Sequence, residues 1–313
     1  VTSFYKKGYY GFCVSKNQKN EIQKKYNNHD KFKINIDTSF NKNGKMYYGE
    51  LVLKGEYKKE ILISTYICHP IMANNETSGI IVSLSLIDYF KKRRLKKTLR
   101  FIFISETIGS LAYLNKNLKN LKKNCIGAFN LTCIGDERMH SCMLSKYQNS
   151  LSDLSLIDAY KKLKIQPKKF NFLKRGSDER QFNSPNIDIP MTSIFRSKYG
   201  EYKEYHTSSD NFDFVTPKGC YGGYIVAREA ISNLLKMIIP VSKFSGEPNL
   251  GKRKMYPLIL KNKKSKKIRS ILDFLVFSDG KNNLSDISKK INLNYKQTKK
   301  ISDLLLKKNL IET

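Results

Sequence analysis

One stretch decides the fold, and from residue 62 to residue 79 it consists of Leu-Ile-Ser-Thr-Tyr-Ile-Cys-His-Pro-Ile-Met-Ala-Asn-Asn-Glu-Thr-Ser-Gly. Its first part is apolar and ends on His69, and Pro70 stops the predicted strand because proline has no N–H to give to a ladder. A polar turn follows, and Ser78-Gly79 leads into an apolar run up to Phe90 that predicts a buried helix. His69 therefore lies at the carboxyl end of a strand and in front of a helix, where open α/β sheets build their sites.

The same alternation of strands and helices continues along the chain. Continuous apolar runs such as 99–104 are typical of a sheet that helices cover on both faces. The predicted strands lie at 61–68, 98–105, 126–132 and 189–195, and the predicted helices lie at 78–92, 111–117, 150–164 and 221–239. We therefore predict an α/β domain over residues 61–257, with a mixed, mostly parallel sheet flanked by helices.

Two smaller units flank this predicted domain. Residues 1–60 predict a β-rich element that precedes the main domain or is inserted in it, with strands at 9–14, 32–37 and 46–55 and a hairpin-type turn at 41–44. Residues 240–257 have no periodicity and predict a linker, and a basic tether follows at 261–267. Residues 266–313 have the pattern of three helices and a short strand, which predicts a winged helix.

The charge of the chain is strongly positive, at +31 over 313 residues. Only ten of the 58 basic residues are arginines, and the lysines are spread along the whole chain. Because specific contacts to phosphates and bases usually recruit arginine, a lysine-rich solvated surface explains this charge better than a nucleic-acid site does. No apolar run reaches the length of about 18–20 residues that a membrane span needs, so we expect no membrane partner.

The cysteines and the amino terminus indicate the compartment and the extent of the chain. Six cysteines are scattered without a Cys-x-x-Cys pair, and no secretory signal is visible. This pattern favours reduced thiols and a cytoplasmic location. The sequence begins with Val1 and with residues typical of the middle of a domain, so we expect that it is N-terminally incomplete.

Six short motifs occur in an order that carries a resemblance to a known family. They are Ile67-Cys68-His69-Pro70, Ala73-Asn74-Asn75-Glu76, Ser78-Gly79, Glu106-Thr107-Ile108-Gly109-Ser110, Arg175-Gly176-Ser177-Asp178-Glu179-Arg180-Gln181 and Glu204-Tyr205-His206-Thr207-Ser208. Along its whole length the chain resembles bacterial aminopeptidase-like proteins, which join a zinc-exopeptidase-type domain to a C-terminal winged helix. The resemblance implies a zinc-exopeptidase-like fold and, in the family, a further N-terminal segment that is absent here.

A more distant resemblance to dinuclear zinc aminopeptidases implies metal ligands at His69, Glu106 and His206. It places Asn75 where that family has a bridging Asp and Thr132 where it has another Asp. Both residues are neutral, whereas two dications about 3.5–4 Å apart need an anionic bridge. Two imidazoles and one carboxylate with an open fourth position are the ligand set of a mononuclear catalytic zinc. We therefore expect one zinc ion, and the alternative is a pair of structural histidines that hydrogen-bond to loop carbonyls.

The reaction that the resemblance implies is zinc-assisted hydrolysis of a peptide or other amide bond. The family's general base corresponds to Ser105 here, so another carboxylate must take this role. The candidate catalytic residues are Glu106, Glu204 and Asp178. The candidate substrate-binding residues are Arg180, Arg196, Tyr199, Tyr205 and Asn75. A guanidinium binds a carboxylate through two bonds, which favours a substrate with a free acid group, but structural pairing of either arginine is an equal alternative.

Two other classes of function stay open. One is a non-catalytic ligand-binding protein that keeps a degenerate exopeptidase pocket, and the other is a DNA-binding regulator. The second is the less favoured, because residues 294–308, where a recognition helix is predicted, contain no arginine. Winged helices also bind proteins, so this unit is a candidate for forming oligomers. Related proteins often accompany surface polysaccharide biosynthesis, which makes a modified-sugar amide a candidate substrate.

Overall fold

The computed structural model describes residues 14–35, 37, 39, 41–253, 255 and 262–313, and in them two sheets are surrounded by helices. The strands are β1 (Gly49–Leu53), β2 (Tyr57–Tyr66), β3 (Lys97–Ile104), β4 (Cys125–Leu131), β5 (Ser141–Met143), β6 (Lys168–Phe170), β7 (Met191–Phe195), β8 (Val241–Ser242) and β9 (Ile311–Glu312). The helices are α1 (Lys16–Lys25), α2 (Ser78–Lys91), α3 (Ile108–Asn124), α4 (Leu151–Lys162), α5 (Glu179–Phe182), α6 (Pro217–Lys236), α7 (Asn262–Val276), α8 (Leu284–Lys290) and α9 (Tyr295–Lys307). A π-helical turn, Ala73–Thr77, precedes α2, and a 3-10 turn, Phe172–Lys174, precedes α5.

The larger sheet has seven strands in the order β1-β3-β2-β4-β7-β5-β6. The neighbours β3, β2, β4 and β7 are parallel, whereas β1 joins β3 and β5 joins β7 in antiparallel orientation. β6 is parallel to β5. The mixed, mostly parallel sheet that the sequence predicts is therefore confirmed. Its four central strands bring their carboxyl ends to one edge, where the predicted site residues follow them.

Helices cover both faces of this sheet, which explains why the central strands are apolar along their length. Residues 60–66 of β2, which pairs with β3 on one side and β4 on the other, are all buried. They include the polar residues Ser64 and Thr65. On one face α2, α4 and α6 share a core with Ile61 and Ile63. On the other face α3 packs on Leu62.

Gly79, the second residue of α2, marks a very close approach between this helix and the sheet. A Cβ atom at this position would overlap the carbonyl oxygen of Leu131 at the end of β4 and the hydroxyl of Thr65 in β2. Both neighbours are buried and belong to central strands, so neither has room to move away. The glycine that ends the stretch from residue 62 to residue 79 is therefore required by the packing of α2.

We expect the substitution Gly79→Ala to lower the free energy of unfolding by about 3 kcal/mol, the upper part of the usual range for an overpacked core. The added methyl group must push α2 away from the ends of β2 and β4. Urea denaturation followed by circular dichroism measures the change. Ser85→Ala, on the exposed side of the same helix, is the matched control and should stay within about 0.5 kcal/mol. Equal stability of the Gly79→Ala variant and the wild type would contradict this account of the packing.

The N-terminal segment differs from its prediction. The strand predicted at 9–14 lies outside the described residues except for Val14, which is not in a strand. The strand predicted at 32–37 is wrong for residues 32–35 and 37, which have no regular structure. The turn at 41–44 is present, with the N–H of Gly44 donating to the carbonyl of Asn41 at 3.0 Å, and the strand that follows it is β1. Residues 16–25 instead form α1, and Ser15 and Gln18 form a capping box at its N-terminus.

The predicted elements from 61 to 239 are present, with shifts at their ends, and three short elements are additional. β5 and β6 have three residues each and α5 has four, so none is long enough for a hydrophobic period to appear in the sequence. α3 extends beyond the predicted 111–117 in both directions, and its lysine-rich C-terminal part keeps only Leu118 and Leu121 as apolar contacts with the core.

The C-terminal unit is a winged helix, as the sequence predicts. α7, α8 and α9 enclose a separate core that includes Ile271, Phe274, Leu284 and Leu305. β9 pairs antiparallel with β8, so the segment predicted as a linker supplies one strand of the small sheet. None of the helices in the described ranges combines the length and the apolar character that crossing a membrane requires.

Candidate functional site

The candidate site lies at the carboxyl edge of the four parallel strands. His69 follows β2 by three residues, Glu106 follows β3 by two, and Thr132 follows β4 directly. These strands are neighbours in the sheet, so the loops that leave them are neighbours too. Residues that are distant in the sequence are thereby brought to one place.

His69 is the residue that contacts most of the others. Its Nε2 lies 3.7 Å from a carboxylate oxygen of Glu106, and its Nδ1 lies 3.7 Å from a carboxylate oxygen of Glu76. The centroid of its ring is 5.3 Å from that of His206. The structure therefore places the three residues that the sequence predicted as metal ligands beside one another, with the Nε2 side of His69 facing Glu106.

The opposite side of His69 is held by its own loop. The carboxylate of Glu76 accepts the backbone N–H groups of Cys68 and His69. The Sγ atom of Cys68 lies 3.3 Å from Nδ1 of His69 and accepts the N–H of Glu106 at 3.1 Å. Such contacts to Nδ1 fix the orientation of the imidazole and leave Nε2 for a ligand.

Burial shapes the charge states of the candidate ligands. It raises the pKa of Glu106, and the hydrogen bond with Ser177 and the nearby His69 oppose that rise. Burial also lowers the pKa of His206, and the neighbouring His69 lowers it further. A histidine with a lowered pKa is neutral near pH 7, which is the form that binds a metal ion.

Two arrangements of donors are available for a metal ion. Among the described residues, Cys68, His69 and Glu76 form a group whose ligand atoms all lie within 4.8 Å of one another. Burial raises the pKa of the Cys68 thiol to about 11, however, and Glu76 already accepts two N–H groups. A protonated thiol is a poor ligand. The predicted ligands His69, Glu106 and His206 are not such a group among the described residues, because Glu106 and His206 each adjoin His69 but the ligand atoms of the three are not all within 4.8 Å of one another.

The neutral residues Asn75 and Thr132 are bonded to their neighbours in the site. Asn75 donates through its side-chain amide to the hydroxyl of Tyr66, while its buried Oδ1 atom has no partner. The hydroxyl of Thr132 donates to the carbonyl of Asn75 at 2.9 Å and contacts Tyr66. The site thus offers one unpartnered amide oxygen where a two-ion centre needs a bridging anion.

Asp178 has the properties of a proton acceptor. One of its carboxylate oxygens accepts the N–H of Thr107, next to Glu106, at 2.8 Å, and the other is buried without a partner. Burial raises the pKa of Asp178 to about 7, and the charge of Glu106 contributes to that rise. A carboxylate with a pKa near the working pH is suited to general base catalysis.

Two of the predicted site residues are engaged elsewhere. Both carboxylate oxygens of Glu204 accept bonds from the guanidinium of Arg138, each at 2.8 Å, and this pairing lowers the pKa of Glu204. The guanidinium of Arg196 is buried, donates to the carbonyl of Asp136 at 2.6 Å and contacts the ring of His140. These partners favour structural roles for Glu204 and Arg196 over the predicted roles in catalysis and substrate binding.

The other predicted binding residues surround the site. Tyr205 stacks on His206 with ring centroids 4.0 Å apart, which orients the imidazole. The hydroxyl of Tyr199 donates to Glu179 at 2.6 Å and accepts the N–H of Gly176 at 2.7 Å, so it supports the loop that carries Asp178. Arg180 donates to the hydroxyl of Thr107 at 2.6 Å and keeps an exposed guanidinium beside the site.

The sequence reasoning missed Asp210, which ties two loops of the site together. Its buried carboxylate accepts the N–H groups of Asn74 at 2.5 Å and of Asn75 at 3.1 Å, and the hydroxyl of Tyr202 at 3.3 Å. The loop after His69 is thereby bonded to the loop after His206. The only signal in the sequence was an Asp four residues after a candidate histidine.

Four residues of these loops have left-handed backbones without being glycine. Ile71 has φ +76°, Thr107 +61°, Cys133 +49° and His206 +55°. A β-branched residue in this region is a genuine outlier, and such strain clusters at functional sites. These four positions follow β2, β3 and β4 or include a candidate ligand, and six further non-glycine residues with positive φ lie elsewhere in the described chain.

Comparisons with known proteins agree with the fold and with both units of the chain. A family model described as "Domain of unknown function (DUF4910)" matches residues 15–236, and a winged helix-turn-helix model matches residues 239–313. A Clostridium acetobutylicum protein named for polysaccharide biosynthesis and an aminopeptidase-like domain is 32% identical over 321 residues. The match covers 100% of this chain and 70% of that protein.

Two solved structures are also similar to this chain in fold. A crystal structure from Clostridium acetobutylicum, described as a "putative peptidase", is 32% identical with a TM-score of 0.60, and the match covers 85% of this chain and 60% of that one. A zinc aminopeptidase from Bacillus subtilis is 20% identical with a TM-score of 0.51, over 60% of this chain and 49% of that one, and it shares the fold. The resemblance to aminopeptidase-like proteins with a C-terminal winged helix is therefore confirmed.

Proposed function

The chain belongs to the family described as "Domain of unknown function (DUF4910)", with a winged helix-turn-helix after it, and we propose that it is a zinc-dependent, aminopeptidase-like hydrolase of amide bonds. The observation that carries the proposal is the approach of His69, Glu106 and His206 at the edge of the sheet. One ion is proposed, because Asn75 and Thr132 replace the carboxylates of a two-ion centre.

In the proposed hydrolysis, different residues would bind the ion, transfer the proton and bind the substrate. His69 through Nε2, His206 and Glu106 would hold the ion. When bound, zinc polarises an amide carbonyl and lowers the pKa of a bound water to about 7. Asp178 would accept the proton of the attacking water and pass it to the leaving amine. Arg180, with its exposed guanidinium, would bind a negative or carbonyl group of the substrate.

The substrate class and the setting are further parts of the proposal. A relative that is 32% identical is named for polysaccharide biosynthesis, which supports an amide on a modified sugar as the substrate beside a peptide. The free thiols of the described cysteines agree with a cytoplasmic location.

The test is turnover on a panel of aminoacyl amides, short peptides and N-acyl amino sugars, with the full chain and one equivalent of zinc. We expect hydrolysis of at least one class, lost in His206→Ala at an unchanged melting temperature. His29→Ala, an exposed histidine far along the chain from the motifs, is the control and should keep full activity. Zinc binding without turnover on the whole panel would contradict the hydrolase.

A non-catalytic binding protein is the second candidate, because the hydroxyl of Thr132 is already satisfied within the protein and Glu204 is paired with Arg138. This candidate requires tight binding of a panel compound that is released unchanged. A DNA-binding regulator has less support, since α9 carries exposed lysines such as Lys296 and Lys300 but no arginine.

A further inference from the structure

A groove of about 860 Å³ lies between the α/β domain and the winged helix. One wall contains the start of β4 at Cys125 and residues 187–190, which lead into β7, and the other contains residues 279–282 and part of α8. The amino ends of these parallel strands line the groove, whereas His69 and Glu106 follow carboxyl ends. The groove is therefore at the opposite edge of the sheet and does not belong to the candidate metal site.

The groove carries an excess of positive charge on both walls. Its lining includes six lysines and three aspartates, and the lysines are Lys59, Lys122 and Lys123 on the α/β domain and Lys281, Lys289 and Lys290 on the winged helix. Within the part of the chain that the structure describes, none of these lysines forms an ion pair. Like charges that face one another across a cleft repel unless an anion lies between them.

The three aspartates of the lining offset only part of this positive charge, and each of them also accepts bonds from other groups. Asp188 accepts bonds from Lys146 and from the hydroxyl of Tyr147. Asp279 accepts the N–H of Lys281 at 2.9 Å and the side-chain amide of Asn282 at 3.0 Å. Asp286 forms the capping box at the start of α8.

The rest of the lining is mixed, with the polar residues Asn149, Ser150 and Asn282 beside an apolar part. The apolar part includes Ile126, Leu151, Leu154, Ile187, Ile189 and Pro190, with the half-exposed ring of Tyr147 beside them. A simple anion such as phosphate gains no binding free energy from an apolar surface, whereas an organic ring system gains binding free energy when it is buried there. The lining therefore fits a ligand with several negative charges on an apolar or aromatic body.

We propose that this groove binds a nucleoside di- or triphosphate, with its phosphates between the two sets of lysines and its base against Tyr147 and the apolar residues. The volume is in the range of small-molecule sites, which is about 300–1,000 Å³. Because half of the lysines belong to each domain, the bound nucleotide would join the winged helix to the α/β domain. This ligand is independent of the hydrolase proposed above.

Isothermal titration of the full chain with ADP tests the proposal, with pyrophosphate and a 20-base-pair duplex as comparison ligands. We expect one saturable site for ADP, weakened at least about tenfold in Lys122→Glu/Lys281→Glu, because two charge-assisted contacts become repulsive. The control is Lys119→Glu/Lys300→Glu, which makes the same charge change on α3 and on the winged helix outside the groove and should stay within about twofold. His69→Ala should bind ADP normally, which separates this result from that of the metal site.

Three outcomes would overturn the proposal. The first is the absence of saturable binding by ADP, and the second is equal weakening in the two double variants, which would indicate only the overall charge. The third is binding of pyrophosphate as tightly as ADP, or of the duplex instead of ADP, because the apolar part of the groove would then have no role.

Discussion

His69→Ala is expected to leave the protein without zinc, whereas the wild type should hold one ion per chain. Its Nε2 faces Glu106 and its ring adjoins that of His206, so its loss removes the residue that connects the predicted ligands. Removing a residue that hydrogen-bonds to a metal ligand lowers the metal affinity about 10–100-fold. Removing the ligand itself should lower the metal affinity at least as much. Elemental analysis after dialysis against a zinc buffer measures the content of each variant.

The same measurement separates the two donor arrangements. Cys68→Ala should keep more zinc than His69→Ala if the ion lies on the Nε2 side of His69, because Cys68 then only supports the ligands through Nδ1 of His69 and the N–H of Glu106. It should lose as much zinc as His69→Ala if Cys68, His69 and Glu76 hold the ion. His29→Ala is the neutral control. Equal zinc in His69→Ala and in the wild type would remove the metal site and the hydrolase with it.

Asp178→Asn is expected to reduce kcat by about 10²–10⁴-fold, the usual contribution of a general base. Asparagine keeps the oxygen that accepts the N–H of Thr107 but cannot take up a proton. Zinc content and KM should change little. Asp213→Asn, an exposed position beyond His206, is the matched control for activity. Activity of Asp178→Asn within about threefold of the wild type would exclude Asp178 as the base.

The pH dependence of stability gives a second result for the same pair of variants. The pKa of Asp178 is raised from 3.8 to about 7, so between these values the folded state holds a proton that the unfolded state has lost. The unfolded state then binds fewer protons, and the free energy of unfolding must fall as pH rises from about 4 to about 7. Urea denaturation of the zinc-free protein at pH 5 and pH 8 should show this fall in the wild type and in Asp213→Asn. Asp178→Asn should reduce it.

The sequence predicted the elements whose pattern is local and long. The apolar runs of β2 and β3 and the following helices α2 and α3 each extend over at least eight residues, so their periods are visible. β5 and β6 are too short for a period, and α1 is a polar helix without a buried residue, so hydrophobicity could not indicate it. Propensity and burial thus explain both the successes and the failures.

For the site, the sequence could place residues at strand ends but could not choose their partners. His69 and Glu106 follow apolar runs, and parallel pairing of these runs is enough to bring them together. The pairing of Glu204 with Arg138 joins residues 66 positions apart, and that of Asp210 with Asn74 joins residues 136 apart. Partners at such separations depend on how the loops pack, which no local pattern records.

The left-handed residues Ile71, Thr107, Cys133 and His206 have a consequence for the encounter with a ligand. Each of these backbone conformations raises the conformational free energy by about 1–3 kcal/mol. This free energy is part of the folding of the chain and is not added when a ligand binds. An incoming molecule therefore finds the loops already in position and loses little of its binding free energy to rearranging them. Selectivity at this edge should then depend on shape and charge present beforehand, and association should be fast.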